Sequence, residues 1–260
     1  MPTFTTRERL DLGYTDQGHG PAVVFLHPFP LDSRAWESQI ALLAAEHRVL
    51  AVDFPGFGSS GPPPAGVTLA GFAAGVIELL RELGVYRAAV VGLSMGGYVA
   101  LELAAQEPGL VSRLVLADTR AGPDSPEGAA GRERFAARAE KNGVGWIADE
   151  MLPKLLRPQP DPAVARWVAG LIARATPAGV AAAQRAMAVR ADHGPTLERL
   201  RMPVLVLSGG EDALIPPQES ARMVERLPNA RLELLPGAGH LSNLEEPELF
   251  NRALVSFVTE

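Results

Sequence analysis

Apolar residues along this chain fall into two kinds of run. Short continuous blocks bounded by Gly, Pro or charged residues occupy 22–26, 48–52, 88–91, 113–117 and 203–208, and they read as buried strands. A further strand is expected over 9–14. Longer segments with apolar positions three or four apart read as helices over 34–45, 69–83 and 95–106. This alternation predicts an α/β protein with a mostly parallel, doubly wound sheet. Between about 121 and 195 the rhythm breaks. Residues 132–141, 146–156, 162–175 and 177–190 read as four helices separated by Gly and Pro, with no strand among them. From about 196 strand and helix resume, ending in a helix over 247–258. The expected organisation is a core of residues 1–120 and 196–260, with residues 121–195 inserted as a helical cap over the sheet edge.

One short motif changes this from architecture to chemistry. Gly92-Leu93-Ser94-Met95-Gly96 follows the strand at 88–91 and opens the helix at 95–106. Strand, G-x-S-x-G and helix in that order are the context of a nucleophile elbow. The turn is sharp enough that glycine is needed on both sides, and it holds Ser94 above a helix N-terminus. In this arrangement the acid and then the base follow the serine along the chain. Of five histidines, only His193 and His240 come after Ser94. His193 lies in a polar linker, whereas His240 ends the Gly-rich loop Gly237-Ala238-Gly239, so His240 is the expected base. Asp212, after the strand at 203–208 and Gly209-Gly210, is the expected acid. Its neighbour Glu211 and the earlier strand-end Asp118 are the rivals. Asp212 would accept the second imidazole N–H and fix the tautomer.

An oxyanion hole needs two N–H donors. One is expected from Met95, the residue after the nucleophile. The other is expected from Phe29 in His27-Pro28-Phe29-Pro30, since the flanking prolines carry no N–H. His27 reads as a structural anchor of that loop. Asp53 precedes Ser94 and reads as holding the Gly-Pro-rich loop 53–60.

These pieces together resemble the α/β-hydrolase family, in its carboxylesterase and enol-lactonase branch. The resemblance rests on His27-Pro28-Phe29-Pro30, the loop Asp53 to Ser60, the elbow at Ser94, Gly209-Gly210-Glu211-Asp212 and Gly237-Ala238-Gly239-His240. Ala117-Asp118-Thr119-Arg120-Ala121 with Asp124-Ser125-Pro126-Glu127-Gly128 is similar to short-chain carboxylesterases. Pro28 departs from the family, which usually has Gly there; the change stiffens the loop and removes no expected donor. The resemblance implies a cofactor-free serine esterase. An enol-lactonase or C–C bond hydrolase with the same triad is the alternative, and a ligand receptor on the same scaffold is the alternative of another class.

Composition narrows the partners. The 260 residues carry a net charge of −6 and no cysteine, so a nucleic-acid partner is disfavoured and a thiolate nucleophile is impossible. No run of 18 apolar residues suggests a membrane span, no metal-ligand spacing occurs, and a cytoplasmic location is expected. The substrate is expected to be a small ester. Leu31, Trp146, Met151 and Met187 are the expected pocket walls. No cap residue stands out as a ligand for a substrate carboxylate, which favours a neutral ester; Arg120 and the arginines at 132–138 are the candidates that could still reach the site.

Overall fold

The continuous apolar blocks become the centre of one eight-stranded sheet in the computed structural model, which describes residues 1–260. The strands are β1 (Thr3–Thr5), β2 (Asp11–Gln17), β3 (Ala22–Leu26), β4 (Arg48–Val52), β5 (Ala88–Leu93), β6 (Val111–Ala117), β7 (Val204–Gly209) and β8 (Ala230–Leu235). Their order across the sheet is β1-β2-β4-β3-β5-β6-β7-β8. Pairing is antiparallel at β1–β2 and β2–β4 and parallel elsewhere. Every residue of β5 and β7 is buried, as parallel strands covered on both faces must be. The edge strand β8 has only one buried residue, Leu235.

The helices are α1 (Glu37–Leu43), α2 (Leu69–Glu82), α3 (Met95–Gln106), α4 (Pro126–Asn142), α5 (Ile147–Leu155), α6 (Pro162–Ile172), α7 (Pro177–Ala188), α8 (Gly194–Leu197), α9 (Pro217–Arg226), α10 (Ser242–Glu245) and α11 (Pro247–Thr259). Helices α4 to α8 all lie between β6 and β7 in the chain. No helix is long and apolar enough to cross a membrane.

Boundaries differ from the apolar pattern where side chains override it. The helix expected from residue 34 begins as a 3₁₀ turn, Ser33–Trp36. There the Asp32 carboxylate accepts the Arg34 N–H at 3.1 Å and Asp53 accepts the Ser33 N–H at 2.8 Å. Helix α4 starts at Pro126, well before the apolar pattern does. Ser125 accepts the Gly128 N–H at 3.1 Å and Pro126 fills the first turn, so a cap and a pre-set φ begin the helix where no apolar face exists. Strand β2 starts at Asp11 because Arg9 sits at φ 61 in a turn.

Candidate active site

The sheet's own topology creates the site. β4 pairs with one edge of β3 and β5 with the other, so the loops after β3 and β5 diverge and leave a crevice at the carboxyl ends of the strands. Leu26 stands opposite Gly92 in register. That register sets the loop carrying Phe29 directly beside the turn carrying Ser94.

Ser94 has φ 55 and ψ −115, in the left-handed region that side chains seldom occupy. The turn is this tight because the backbone packs against itself. A Cβ on Gly92 would lie 2.3 Å from the Gly96 carbonyl oxygen, and one on Gly96 would lie 2.0 Å from that of Leu26. Neither position admits any residue but glycine. The strain is held by bonds on both sides: the Ser94 N–H donates to the Ala117 carbonyl at 2.9 Å, and the Thr119 hydroxyl donates to the Ser94 carbonyl at 2.9 Å.

Three side chains from three strand ends meet here. Ser94 Oγ lies 2.8 Å from His240 Nε2, and His240 Nδ1 lies 2.8 Å from Asp212 Oδ2. The other carboxylate oxygen of Asp212 accepts the N–H groups of Leu214 and Ile215, each at 2.8 Å. Because an ionised carboxylate only accepts, the imidazole proton belongs on Nδ1, which leaves Nε2 to accept from the Ser94 hydroxyl. The side chains of His240 and Asp212 are fully buried, and Ser94 retains 7 % exposure at the crevice. Burial opposes charging of His240, but the field of Asp212, with Asp118 and Glu245 beyond it, outweighs burial and holds the imidazole above its ordinary pKa.

Phe29 and Met95 flank Ser94, and neither backbone N–H has an acceptor within the chain. Met95 is the first residue of α3, where an N–H has no intrahelical partner. The Phe29–Pro30 bond is cis.

The rival residues have other roles. His193 contacts Glu102 at 3.1 Å and Thr196 at 3.2 Å, away from Ser94. Glu211 is exposed. Asp118 is fully buried but does not touch His240; it accepts the Gly209 N–H at 2.7 Å and the Ser242 hydroxyl. Burial, opposed by His240 and reinforced by Asp212, pushes its carboxyl up to about 7. His27 accepts the Phe54 N–H at Nε2 and donates from Nδ1 to the Pro28 carbonyl, both at 3.0 Å, so it is neutral and ties two loops together. Asp53 binds the N–H groups of Ser33 and Ser59, both at 2.8 Å.

A cavity of about 550 Å³ opens from Ser94 beneath α4, α5 and α7. Trp146, Met151 and Met187 line it, as expected. So do Phe29, Tyr98, Phe135, Leu214 and Ile215, which nothing in the sequence marks as pocket walls. Leu31 does not. It is fully buried, with its N–H bonded to the Pro28 carbonyl, so it braces the Phe29 loop from behind. Phe29 and Phe135 meet edge to face at 6.0 Å, and Phe135 packs on Trp146 at 4.7 Å, forming an aromatic wall. The arginines that the sequence leaves as candidates do reach the cavity. Arg132, Arg134 and Arg138 of α4, Lys154 of α5, and Arg120 all line the cavity. Their spacing along α4 is visible in the sequence, but the helix rotation that turns them inward is not.

A model of the family described as "Alpha/beta hydrolase family" matches residues 23–253. The chain is 28 % identical to 3-oxoadipate enol-lactonase 2 of Acinetobacter baylyi over 98 % of its own length and 97 % of that protein's. It superposes on a malate-bound thermophilic esterase from Thermogutta terrifontis with a TM-score of 0.95 and 38 % identity, covering 99 % and 96 % of the two chains. With the enol-lactonase from Burkholderia xenovorans the TM-score is 0.92 and the identity 29 %, covering each chain completely.

Proposed function

We propose that this chain, which belongs to the alpha/beta hydrolase family, cleaves carboxylic esters through an acyl-enzyme on Ser94. The observation that carries the reading is the continuous chain Ser94–His240–Asp212, 2.8 Å at each link, at the mouth of a cavity. Similarity to an esterase at 38 % identity supports it. In this mechanism the Ser94 oxygen adds to the ester carbonyl while its proton passes to His240 Nε2. The N–H groups of Phe29 and Met95 take the developing oxyanion. As the tetrahedral intermediate collapses, the carbon–oxygen bond to the leaving alcohol breaks and His240 returns the proton to that alcohol. Water then enters, gives a proton to His240, and releases the acid by the same steps in reverse. Asp212 stays ionised throughout and stabilises the imidazolium. Helices α4 to α7 act as a cap that bounds the acyl pocket.

The pocket favours short acyl groups. Seven charged side chains share its lining with the aromatic wall, and a long alkyl chain would strip water from those groups without replacing their hydrogen bonds. Among p-nitrophenyl acetate, butyrate, octanoate and palmitate, kcat/KM is expected to be greatest for the two shortest. A maximum at octanoate or palmitate overturns the short-chain reading. Folded protein that turns over no ester overturns the esterase reading and favours lactones, opened by the same acyl chemistry, or vinylogous diketones, in which a C–C bond breaks and the departing carbon takes the proton.

The electrostatics give a pH dependence. The base must be neutral to accept the Ser94 proton, and its neighbours hold its pKa above 6.5. Activity is therefore lost as pH falls through a value higher than that of an ordinary histidine. The acid limb of kcat/KM is expected to be centred above pH 6.5. A limb centred below that value means that burial, and not the field of Asp212, governs His240.

A further inference from the structure

We propose that the cavity takes esters whose acyl or alcohol part ends in a carboxylate, held by the arginines of α4 and Arg120. This inference rests on the ester-hydrolase reading. The first observation is one of sign. The protein carries a net charge of −6, yet the cavity is lined by five cationic side chains and only two carboxylates. A local positive excess in an acidic protein attracts anions to the crevice and repels them from the rest of the surface.

The second observation is how the cations are partnered. Asp124 is the only carboxylate for three guanidinium groups: Arg120 at 2.9 Å, Arg190 at 2.8 Å, and Arg132. One carboxylate neutralises a third of that cluster. Arg190 lies behind the lining, bonded to the Gly122 and Met187 carbonyls and stacked on Tyr98, so it adds its charge to the cluster from below. Arg134, also on the lining, has neither an ion pair nor a hydrogen bond. The outer side of the same helix pair is built the opposite way. There Arg185 of α7 is held by two carboxylates, Glu133 at 2.9 Å and Glu140 at 2.6 Å. Fastening α4 to α7 thus uses an excess of carboxylate outside, while the inner face keeps an excess of guanidinium. A guanidinium fork matches a carboxylate with two parallel hydrogen bonds, so the inner face fits that group.

The test compares esters of matched length that differ in charge. Monomethyl glutarate and 4-acetoxybutyrate carry the anion on the acyl and alcohol sides; methyl pentanoate and butyl acetate are their neutral counterparts. Hydrolysis followed by pH-stat gives kcat/KM for each. At low ionic strength at least one anionic ester is expected to exceed its neutral counterpart by about tenfold or more, with the advantage shrinking as sodium chloride is added. Arg134→Glu is expected to lower the anionic-to-neutral ratio about tenfold, and Arg134→Lys to restore most of it. Arg134 is an exposed helix residue without partners, so the fold is not at stake. Neutral esters hydrolysed as well as both anionic ones overturn the inference and leave the esterase reading standing. A ratio moved by neither Arg134→Glu nor Arg132→Gln also overturns it. No hydrolysis of any of the four by folded protein removes both.

Discussion

Ser94→Ala is expected to lower kcat on a short-chain ester by about 10⁴-fold or more, with KM changed little. In the proposed mechanism the hydroxyl oxygen is the atom that becomes bonded to the acyl group, and His240 Nε2 has no other side-chain partner. On the same proposal, what survives is the field of the Phe29 and Met95 N–H groups, which would still polarise a bound carbonyl toward water. The substitution is conservative everywhere else. Alanine has the same Cβ at φ 55, and it removes a single hydrogen bond, the one to His240. The stability read from urea unfolding is therefore expected to stay within about 0.5 kcal/mol of the parent. Near-normal turnover by folded Ser94→Ala ends the acyl-enzyme mechanism. Loss of turnover with loss of folding is told apart by that same unfolding curve.

Asp212→Asn is expected to cost nearly as much, about 10⁴-fold in kcat. The reason lies in the two N–H groups of Leu214 and Ile215, which point at one oxygen of Asp212. They orient an asparagine so that its carbonyl takes that oxygen's place and its NH₂ faces His240 Nδ1. That nitrogen must then accept, which moves the imidazole proton to Nε2 and aims it at the Ser94 hydroxyl. The histidine is left in the tautomer that cannot act as a base. Asp118→Asn is the control. Asp118 makes no bond to His240 and spends its oxygens on Gly209 and Ser242. Its removal is expected to cost far less in kcat, and a larger loss than in Asp212→Asn reverses the assignment of the acid.

Local chemistry explains why so much of the site is legible in the sequence. Gly92 is dictated by an approach of 2.3 Å within the turn and Gly96 by one of 2.0 Å to the Leu26 carbonyl of β3, and the two requirements show together as a motif. Strand β5 is buried throughout, so its apolar block stands out from the amphipathic helices around it. Chain order after Ser94 leaves two histidines, and the glycines before His240 separate it from His193. Leu31 shows where such reasoning fails. It stands two residues after Phe29, and that nearness suggests a pocket wall, but the Pro28–Leu31 turn points it into the core. The start of α4 fails differently: its first turn is set by Ser125 and Pro126, and apolar periodicity is blind to capping.

The parallel sheet, the elbow at Ser94, and the order of acid and base behind it are all written in the amino-acid order. The first two show as apolar patterns and a short motif, and the third follows from the chain order that goes with that motif. Which carboxylate reaches His240 is settled by the folded chain alone, because Asp118 and Asp212 follow adjacent strands and differ in the direction each turn sends its side chain. The inward turn of the α4 arginines toward Ser94 is likewise a product of tertiary packing. A helix's rotation about its axis is set by what it packs against, and α7, the partner of α4, reaches it through Gln184, 52 residues beyond Arg132.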